Sequence, residues 1–457
     1  MGGVEPLAVR TPQAAEAARG VGPGPLDALA GDAGRTLLLI GAGGCGMRGL
    51  ARFFLAAGWQ VWGQDASGLA ADDPLRALGL QEVEAGEDPP RVSWVVRSAA
   101  VPDQDRLWRE ARAADARGAL YAQMLGEISR LRPVLAVAGS HGKTTCTAWI
   151  AFGLKLAGRK AGWLVGADVA QLGASAEWGD ADEPLVVESC EYARSFHALR
   201  PAQVALVNVD AEHPDTYPGG LPEVVEAFRT FLAAVAEGGT VWAGPETPQL
   251  ADATGAAWQD CEALPEDWEI GLPGAHNRRN ATLVAGVLRG LGVSEDVVRE
   301  ALARFRGAAR RLEQVSTRAD GGVVVSDYAH HPVEVAATLQ AARERWPERR
   351  MVVVFQPHQA QRFHAYREQF APSLDRADAL LLLEVYRARD PEELQASVEE
   401  LLPELESRGT RPDGPRPLRA VRSLDEGREA LSGMLLPGDL ILCLGAGNVD
   451  AFARSLA

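Results

Sequence analysis

A phosphate-binding pattern occurs near the middle of the chain, where the sequence reads Gly139-Ser-His-Gly-Lys-Thr-Thr145. An apolar run, Val134–Ala138, precedes it and a segment with helical apolar periodicity follows, which predicts a strand, a glycine loop and a helix. In such a loop the backbone N–H groups hold phosphate oxygens, a lysine reaches the outer phosphates and a hydroxyl holds Mg²⁺. We therefore predict a phosphate site, with Thr144 as a metal ligand, formed by Gly139, Ser140, His141, Gly142, Lys143, Thr144 and Thr145.

Lysine usage across the chain supports this interpretation. The 46 basic residues (Lys plus Arg) include only three lysines, Lys143, Lys155 and Lys160, so 43 are arginines. Because lysine and arginine are not interchangeable where a compact ammonium is needed, the lysine at position 143 indicates a chemical requirement. The loop departs from the usual pattern, since Val137 stands where the first glycine is expected. An ordinary glycine turn before a helix is the alternative.

A second glycine loop, Gly41-Ala-Gly-Gly-Cys-Gly46, lies between a predicted strand, Thr36–Ile40, and a predicted helix that begins at Met47. This G-x-G-x-x-G spacing is typical of a turn that places a pyrophosphate at a helix N-terminus. Asp65 follows the next predicted strand about 20 residues later, where an acidic side chain can bind a ribose or a base. The pattern fits NAD, FAD or a nucleotide sugar, and a tight turn without a ligand is the alternative.

A carboxylate and an imidazole follow two further predicted strands. Glu188 ends the apolar strand that begins at Leu185, and His213 comes shortly after the strand Val204–Val209. In a parallel sheet these strand ends share an edge with the phosphate loop, so both side chains are candidates to bind a phosphate-bound Mg²⁺. The alternatives are a solvated carboxylate for Glu188 and a capping or core histidine for His213.

Two asparagines, Asn277 and Asn280, stand three residues apart at the start of a predicted apolar helix. This spacing puts both side chains on one face of the first turn. They are suited to contact a base or a sugar, and they are equally suited to cap the helix, so the residues alone leave both interpretations open.

The last third of the chain again alternates predicted strands with predicted helices. After residue 307, strands are predicted at 323–325, 351–355, 379–383 and 440–444, which indicates an open parallel sheet. The loops at the strand ends are rich in polar groups. Four of the eight histidines fall in or near two of these loops, namely His330, His331, His358 and His364.

Length and pattern predict an α/β protein with about three domains. We place a loosely held extension, rich in Ala, Gly and Pro, at residues 1–34 and a Rossmann-like domain at 35–132. A central P-loop ATPase-type domain with a parallel sheet is predicted at 133–307. A second Rossmann-like domain is predicted at 308–457.

Charge and cysteine usage exclude several classes of partner and compartment. The formal net charge of −16 and the lack of a basic stripe argue against a nucleic-acid partner. The five cysteines are scattered without metal-site or disulfide spacing, which indicates a reducing cytoplasm. The sequence shows no signal-peptide pattern and no apolar run of membrane-spanning length, so we expect a cytoplasmic protein without membrane insertion.

Taken in order, these motifs resemble those of the Mur ligase family, and most closely those of its alanine-adding branch. The resemblance covers about residues 35–457. The N-terminal glycine loop then resembles the loop that this family uses for the UDP part of its substrate, so no nicotinamide is required. The markers are Gly41–Met47, Gly139–Thr145, Glu188–Phe196, His276–Asn280, Arg310–Glu313, Asp327–Pro332, Phe355–His358 and Leu383–Tyr386.

The resemblance implies an amide ligase that requires ATP and Mg²⁺. ATP would convert the lactyl carboxylate of UDP-N-acetylmuramate to an acyl phosphate, and the amine of L-alanine would then attack it. Such activation fits the phosphate loop, because a carboxylate is a poor electrophile and phosphoryl transfer onto an anion needs a positive field. The implied role is peptidoglycan precursor synthesis by a cytoplasmic monomer or weak homodimer that acts on small molecules.

Three other interpretations fit parts of the pattern. A recycling ligase would join a preformed tripeptide to the same UDP-sugar and would differ in the size of its amine pocket. A non-catalytic nucleotide-binding protein would not need Lys143, Thr144, Glu188 and His213 together. A dinucleotide-dependent dehydrogenase would use Gly41–Gly46 and leave the phosphate loop without a function.

The resemblance also implies residue roles. The catalytic residues would be Lys143, His330 and Arg362. The metal ligands would be Thr144, Glu188 and His213. The ATP site would also include Asn277, Asn280, Arg311 and Asp327. The UDP-sugar would contact Gly41, Gly43, Gly44, Gly46, Met47, Asp65 and Ser98. The amino acid would contact Tyr328, His330, His358 and Arg362, with Arg362 on its carboxylate.

Three features depart from the family pattern. The chain has Glu188-Ser-Cys-Glu191 where the family commonly has Glu-Ala-Asp-Glu, so both glutamates are kept and the Asp is lost. It has Pro357-His-Gln359 where Pro-His-Arg is common, so one of two expected arginines is missing. No lysine follows Lys160, so the carbamylated lysine of many relatives cannot exist, which favours the alanine-adding branch.

Overall fold

The computed structural model of the chain describes residues 25–70, 73–84, 86–388, 390, 393–411 and 414–456. Most of the predicted N-terminal extension, residues 1–24, therefore lies outside the described residues. Three large β-sheets and one two-stranded sheet are formed by the described part of the chain. Each large sheet is covered by helices, as expected when strands alternate with helices.

The first sheet is parallel throughout, with the strand order β3-β2-β1-β4-β5. Its strands are β1 (Thr36–Ile40), β2 (Gln60–Gln64), β3 (Gln81–Glu82), β4 (Trp94–Arg97) and β5 (Arg117–Leu120). Its helices are α1 (Cys45–Ala56), α2 (Pro74–Ala77), α3 (Arg106–Ala113) and α4 (Tyr121–Leu131). The central strand β1 is buried along its whole length, because a parallel sheet is covered on both faces.

The segment just before β1 packs against this sheet. A 3₁₀ helix, Pro25–Leu29, buries the side chains of Leu26 and Leu29. The carbonyl of Leu29 also accepts a hydrogen bond from Nε1 of Trp94 (2.8 Å). Within residues 25–34, which the sequence places in the extension, two buried leucines and hydrogen bonds to Trp94 and Ser93 attach the chain to this sheet.

The second sheet has the strand order β12-β11-β10-β6-β9-β7-β8, and only the β7–β8 pair is antiparallel among its described pairs. Its strands are β6 (Val134–Ala138), β7 (Gly162–Leu164), β8 (Ala176–Glu177), β9 (Leu185–Ser189), β10 (Gln203–Asn208), β11 (Thr240–Glu246) and β12 (Ala257–Asp260). Its helices are α5 (Lys143–Leu156), α6 (Leu221–Leu232), α7 (Ala275–Gly290) and α8 (Glu295–Arg304), with 3₁₀ helices at Tyr192–Ala198 and Pro248–Ala253.

Helix α5 is buried beside the second sheet. It is apolar around most of its circumference and is buried from Thr144 to Leu154. The ring of Trp149 stacks on Phe305 (centroids 5.1 Å apart), and its Nε1 donates to the carbonyl of Ala301 (2.9 Å). The N-terminus of α5, where phosphate is predicted to bind, is therefore fixed by packing along the rest of the helix.

The third sheet has the order β13-β14-β20-β15-β16-β19. Its strands are β13 (Glu313–Thr317), β14 (Val323–Asp327), β15 (Met351–Phe355), β16 (Ala379–Leu383), β19 (Leu418–Val421) and β20 (Leu440–Leu444), and β17 (Thr410–Arg411) pairs separately with β18 (Gly414–Pro415). Its helices are α9 (Pro332–Arg345), α10 (Ala360–Ser373), α11 (Leu402–Arg408), α12 (Leu424–Ser432) and α13 (Val449–Arg454), with a 3₁₀ helix at Val398–Leu401. The expected parallel sheet is found, except that the polar edge strand β13 runs antiparallel to β14.

The chain divides into two compact units. Unit 1 contains the first and second sheets, together with residues 221–269 and 280–305. Unit 2 contains the third sheet and two short segments, 213–220 and 270–279. The predicted α/β class with three parallel-rich sheets is confirmed, while the domain boundaries drawn from the sequence stay predictions. No helix in the described ranges has the length and apolar character needed to cross a membrane.

Candidate functional site

The phosphate loop connects the carboxyl end of β6 to the N-terminus of α5, as the sequence predicts. Gly142 precedes α5 with a φ of +80°, a conformation that favours glycine. A Cβ on Gly142 would lie 2.9 Å from Oδ1 of Asn280. The fold therefore brings the predicted contact Asn280 directly onto the phosphate loop, and leaves no room for a side chain at position 142.

The end of the neighbouring strand β10 holds the backbone of this loop. Asn208 accepts a hydrogen bond from the His141 amide (2.9 Å) and donates one to the His141 carbonyl (3.1 Å). The hydroxyl of Ser140 donates to the carbonyl of Asp210 (3.0 Å) and accepts from its amide (2.9 Å). Sequence reasoning assigned no role to Asn208, although its place at the end of a strand beside β6 was the available signal.

Lys143 is held by three groups of unit 1. Its ammonium donates to the carbonyl oxygens of Gly139 (2.7 Å) and Ser140 (3.0 Å). It also lies 2.8 Å and 3.0 Å from the two carboxylate oxygens of Glu191, which is fully buried. Burial alone lowers the pKa of Lys143, but Glu191 and other acidic neighbours outweigh it and raise the pKa above its ordinary value. Lys143 is therefore a cation at any working pH.

Thr144 and Glu188 form a pair of oxygen ligands. The Thr144 hydroxyl donates to Oε1 of Glu188 (3.0 Å), and Oε2 of Glu188 accepts from the Gly166 amide (2.9 Å). Hydroxyl and carboxylate oxygens are hard ligands that suit Mg²⁺, which usually takes only one or two carboxylates and completes its shell with phosphate and water. The pair thus fits Mg²⁺. Among the described residues no group of three or more His, Cys, Asp and Glu is placed to hold a metal ion by itself.

His213 belongs to unit 2, where it contacts a predicted substrate-binding arginine. Nη2 of Arg362 lies 3.3 Å from Nδ1 of His213, and because a guanidinium only donates, Nδ1 accepts. A neutral ring that accepts at Nδ1 carries its proton on Nε2, so this pairing leaves no lone pair for a metal. His213 also has a positive φ of +52°. Its role as a metal ligand stays a prediction, and requires Arg362 to release Nδ1.

Two of the other predicted ATP contacts in unit 2 have partners of their own. Nδ2 of Asn277 donates to the carbonyl of Pro273 (2.8 Å), at the start of α7. The guanidinium of Arg311 lies over the ring of Tyr328, with Cζ 5.2 Å from the centroid. These contacts fix both side chains, and their roles toward ATP stay predictions.

Asp327, the last of these predicted contacts, is buried at the end of β14. It accepts hydrogen bonds from the amides of Leu312 (2.6 Å) and Ala329 (2.8 Å). Desolvation raises the pKa of its carboxyl group, although Arg311 and these hydrogen bonds act in the opposite direction. In this arrangement Asp327 ties together the two backbone segments that carry Arg311 and Tyr328.

The first glycine loop is closed by the predicted acidic residue. Oδ2 of Asp65 accepts from the amide of Gly43 (2.8 Å), and Oδ1 accepts from the amide of Ser67 (3.0 Å). Gly44 precedes α1, and a Cβ on Gly41 would lie 3.0 Å from Cβ of Ser98. The strand ends of the first sheet thus bring the predicted UDP-sugar residues together, except that Met47 is buried in the core.

Tyr121 was not predicted but lies against the same loop. A Cβ on Gly46 would lie 3.1 Å from Cζ of Tyr121, so the hydroxyl end of the ring covers the first turn of α1. Desolvation and the nearby Glu188 raise the pKa of Tyr121, so its hydroxyl stays protonated. The signal available from sequence was its position directly after a strand of the same sheet.

The predicted amino-acid site is a cluster of rings in unit 2. Nδ1 of His330 lies 2.9 Å from the carbonyl of Tyr328, so this nitrogen carries the proton when the ring is neutral. The rings of His330 and His358 are 5.8 Å apart, and His358 stacks on Tyr386 (5.6 Å). The fold therefore assembles these predicted residues and adds Tyr386.

Arg362 also belongs to this cluster, and it is hydrogen-bonded to Gln359, the residue that stands where the family commonly has an arginine. Nη1 of Arg362 donates to Oε1 of Gln359 (3.1 Å). Gln359 has a φ of +67°, which is strained for a residue with a side chain. The backbone N–H of Gln359 also donates to the carbonyl of Tyr386 (2.8 Å). Gln359 therefore orients Arg362 where a second arginine was expected.

Comparison with known proteins decides the family. Residues 37–132 match the Mur ligase family, catalytic domain, and residues 310–447 match the Mur ligase, glutamate ligase domain. The chain is 34% identical over 463 residues to the UDP-N-acetylmuramate–L-alanine ligase of Roseiflexus sp. (strain RS-1), covering 90% of this chain and 96% of that protein. The ligase of the same name from Nitratidesulfovibrio vulgaris (strain DP4) is 36% identical over 455 residues, covering 92% and 98%. The chain belongs to the Mur ligase family.

Solved structures of Mur ligases have the same fold. The UDP-N-acetylmuramate–alanine ligase MurC from Thermotoga maritima matches with a TM-score of 0.75 at 22% identity, covering 92% of this chain and 97% of that one. A murein peptide ligase from Psychrobacter arcticus matches with a TM-score of 0.67 at 22% identity, covering 93% and 98%. These likenesses confirm the Mur ligase fold.

Membership in the Mur ligase family confirms the prediction made from the ordered motifs, and this family is ATP-dependent. The residue roles within the family pattern stay predictions. What the geometry adds is that each unit assembles its own set of predicted residues. In unit 1, Lys143, Thr144, Glu188 and Asn280 surround one loop, and in unit 2, Tyr328, His330, His358 and Arg362 form one cluster.

Proposed function

We propose that this chain is an ATP-dependent ligase that joins L-alanine to the lactyl carboxylate of UDP-N-acetylmuramate, a step of peptidoglycan precursor synthesis in the cytoplasm. The observation that carries the proposal is the Lys143, Thr144 and Glu188 constellation in a chain that is more than 30% identical to ligases of this name over 90% of its length. The proposed cofactor beside ATP is Mg²⁺.

Activation of the carboxylate is assigned to unit 1. A lactyl carboxylate oxygen attacks the γ-phosphorus of ATP, the bond to ADP breaks, and an acyl phosphate forms. The Lys143 ammonium and the amides of the phosphate loop hold the phosphate oxygens, since they form a fixed positive region at the N-terminus of α5. A Mg²⁺ ion, held by Thr144 and Glu188, would neutralise phosphate charge.

Amide formation is assigned to the ring cluster of unit 2. The amine of L-alanine attacks the acyl carbon, and the tetrahedral intermediate expels phosphate to leave the amide. Arg362 binds the alanine carboxylate through its planar fork of donors. His330 accepts the proton that the amine loses, because its Nδ1–H is used on the Tyr328 carbonyl and its Nε2 offers a lone pair.

A phosphate-release assay with an amine panel tests this proposal. Purified protein with ATP, Mg²⁺ and UDP-N-acetylmuramate is expected to release phosphate only when L-alanine is added. Release with the tripeptide L-alanyl-γ-D-glutamyl-meso-diaminopimelate, but not with L-alanine, would instead identify a peptide ligase, and no release with any amine would contradict both functions.

A lysine substitution tests the role of the phosphate loop in the same assay. Lys143→Ala is expected to lower kcat/KM by at least about 100-fold, the usual cost of removing a preorganised charge from a transition state. Lys155→Ala is the matched control, since Lys155 lies near the other end of α5 and donates to the carbonyls of Gln171 and Leu172. Equal losses in the two variants would contradict the assigned role.

A further inference from the structure

The ammonium of Lys143 is saturated with protein partners. An ammonium has three N–H donors, and three acceptor groups receive them here, namely the carbonyls of Gly139 and Ser140 and the carboxylate of Glu191. A phosphate oxygen can therefore bind Lys143 only if one of these partners gives way.

The three partners differ in how easily they can leave. The carbonyls of Gly139 and Ser140 belong to the loop backbone, and that loop is clamped by hydrogen bonds to Asn208 and Asp210. Glu191 reaches Lys143 with a side chain, which can change rotamer without moving the backbone. The carboxylate is also the one partner that repels a phosphate, because both carry negative charge.

The backbone that follows Glu191 is strained. Ala193 and Arg194 both have positive φ values, +50° and +55°, at the start of the 3₁₀ helix that follows. Neither is a glycine, so each costs conformational energy that the surrounding structure must supply. Such strain is typical of positions where a side chain is held for a purpose.

From these contacts we propose that Glu191 competes with the phosphates of ATP for Lys143 and thereby limits nucleotide affinity. Without nucleotide, Glu191 neutralises the buried ammonium and keeps it over the loop. When phosphate enters, the carboxylate turns away from Lys143 and the phosphate takes its place. This positioning role rests on the proposed function, since it assumes that the loop binds ATP.

A charge-removing substitution tests the proposal by its effect on affinity. Glu191→Gln keeps the size of the side chain but removes the charge, and we expect it to bind ADP and a non-hydrolysable ATP analogue about tenfold more tightly in titration calorimetry. Glu191→Asp keeps the charge on a shorter stem that holds Lys143 less well, so its affinity is expected to lie between those of wild type and Glu191→Gln. In steady-state assays, KM for ATP should fall while kcat does not rise.

The matched control is Glu183→Gln in the same unit. Glu183 pairs with Arg159 through its carboxylate, and both residues lie outside the phosphate loop. This variant also loses one ion pair of unit 1, but is expected to leave nucleotide affinity unchanged. Equal tightening in the control would overturn the proposal, because the effect would then reflect net charge alone.

The remaining outcomes are also decisive. The proposed competition would be contradicted if both Glu191 variants bound nucleotide with unchanged or weaker affinity. This conclusion requires that at least the Asp variant keeps the thermal stability of the wild-type protein. Glu191 would then have a purely structural role. Failure of the wild-type protein to bind any nucleotide would instead contradict the proposed function itself. The two failures are therefore distinguishable.

Discussion

At the scale of single residues, hydrogen-bond partners separate side chains that look alike in the sequence. His213 was predicted from its position after a strand, and His330 from the family resemblance. In the structure, His330 donates from Nδ1 to a carbonyl, whereas His213 accepts at Nδ1 from Arg362. Only the first arrangement leaves a neutral ring with a lone pair on Nε2. This difference cannot be predicted from sequence, because each partner is set by a contact that only the fold creates.

A third histidine gives a prediction about pH and stability. Burial, with Arg279 nearby, lowers the pKa of His276 to about 4, against an ordinary value of about 6.5 in the unfolded chain. Below pH 6.5 the imidazole of His276 is therefore protonated in the unfolded chain but stays neutral in the folded chain. The free energy of unfolding consequently decreases as the pH falls toward 4. The loss from this group is at most about 3.5 kcal/mol, since the two pKa values differ by about 2.5 units and each unit corresponds to about 1.4 kcal/mol.

His276→Gln is expected to reduce this loss. Urea unfolding at pH 7, 6 and 5 should show a smaller decrease in the free energy of unfolding for the variant than for the wild-type protein. His364→Gln controls for the loss of an imidazole at an exposed position of α10. The same pH dependence in wild type and His276→Gln would contradict the prediction.

At the scale of elements, the sequence predicts what a buried parallel sheet requires. The runs at Thr36–Ile40, Val134–Ala138 and Met351–Phe355 are continuous and apolar, and all three are buried strands at those bounds. The polar edge strand Glu313–Thr317 was missed, because alternating polar residues on an antiparallel edge carry no comparable signal. The helix Arg106–Ala113 begins directly after Asp105, whose side chain caps it by accepting from the amide of Trp108 (3.0 Å).

Long-range contacts between elements could not be predicted in the same way. The glycine loops were found because their backbone geometry demands particular residues at fixed spacing. Glu191 and Tyr121 were not found as partners of Lys143 and Gly46, because each pair joins segments separated by tens of residues. Periodicity and motif spacing indicate that strand ends share an edge, but they do not indicate which side chains there will be in contact.

Helix α4 gives a prediction at this scale. It follows the strand β5 of the first sheet and packs, within unit 1, against the segment that precedes β10 of the second sheet. A Cβ on Gly126 would lie 2.5 Å from the carbonyl oxygen of Ala198, while the hydroxyl of Ser129 accepts from the amide of Arg200 (2.9 Å). Gly126→Ala should gain about 1 kcal/mol of helix propensity, but overpacking against a backbone atom costs about 1–3 kcal/mol. We expect a net lower melting temperature, by about 2–4 °C.

Gly255→Ala is the matched control for this substitution. Apart from its two chain neighbours, no heavy atom of the described residues lies within 4 Å of a Cβ at Gly255. The melting temperature should therefore stay the same or rise slightly as the unfolded chain loses freedom. Differential scanning calorimetry of both variants tests the comparison. A rise in melting temperature for Gly126→Ala would show that α4 can move away from Ala198 without cost.

At the scale of the whole molecule, two different glycine loops lie in one compact unit. Unit 1 contains both Gly41–Gly46 and the phosphate loop. A ligand that binds only the folded state stabilises it by about 2.7 kcal/mol at 100 times its dissociation constant. UDP-N-acetylmuramate and a non-hydrolysable ATP analogue with Mg²⁺ should therefore each raise the unfolding temperature of the wild-type protein.

Substitutions in the two loops should remove these shifts separately. Asp65→Ala removes the carboxylate that holds the Gly43 amide, so the shift with UDP-N-acetylmuramate should be lost and the shift with the ATP analogue kept. Lys143→Ala should give the reverse pattern, because it removes the ammonium at the phosphate loop and leaves the first loop intact. Scanning fluorimetry of both variants with each ligand gives four shifts. Loss of both shifts in either variant would mean that the two loops do not act as separate sites, and the assignment of the sugar nucleotide to the first loop would have to be abandoned.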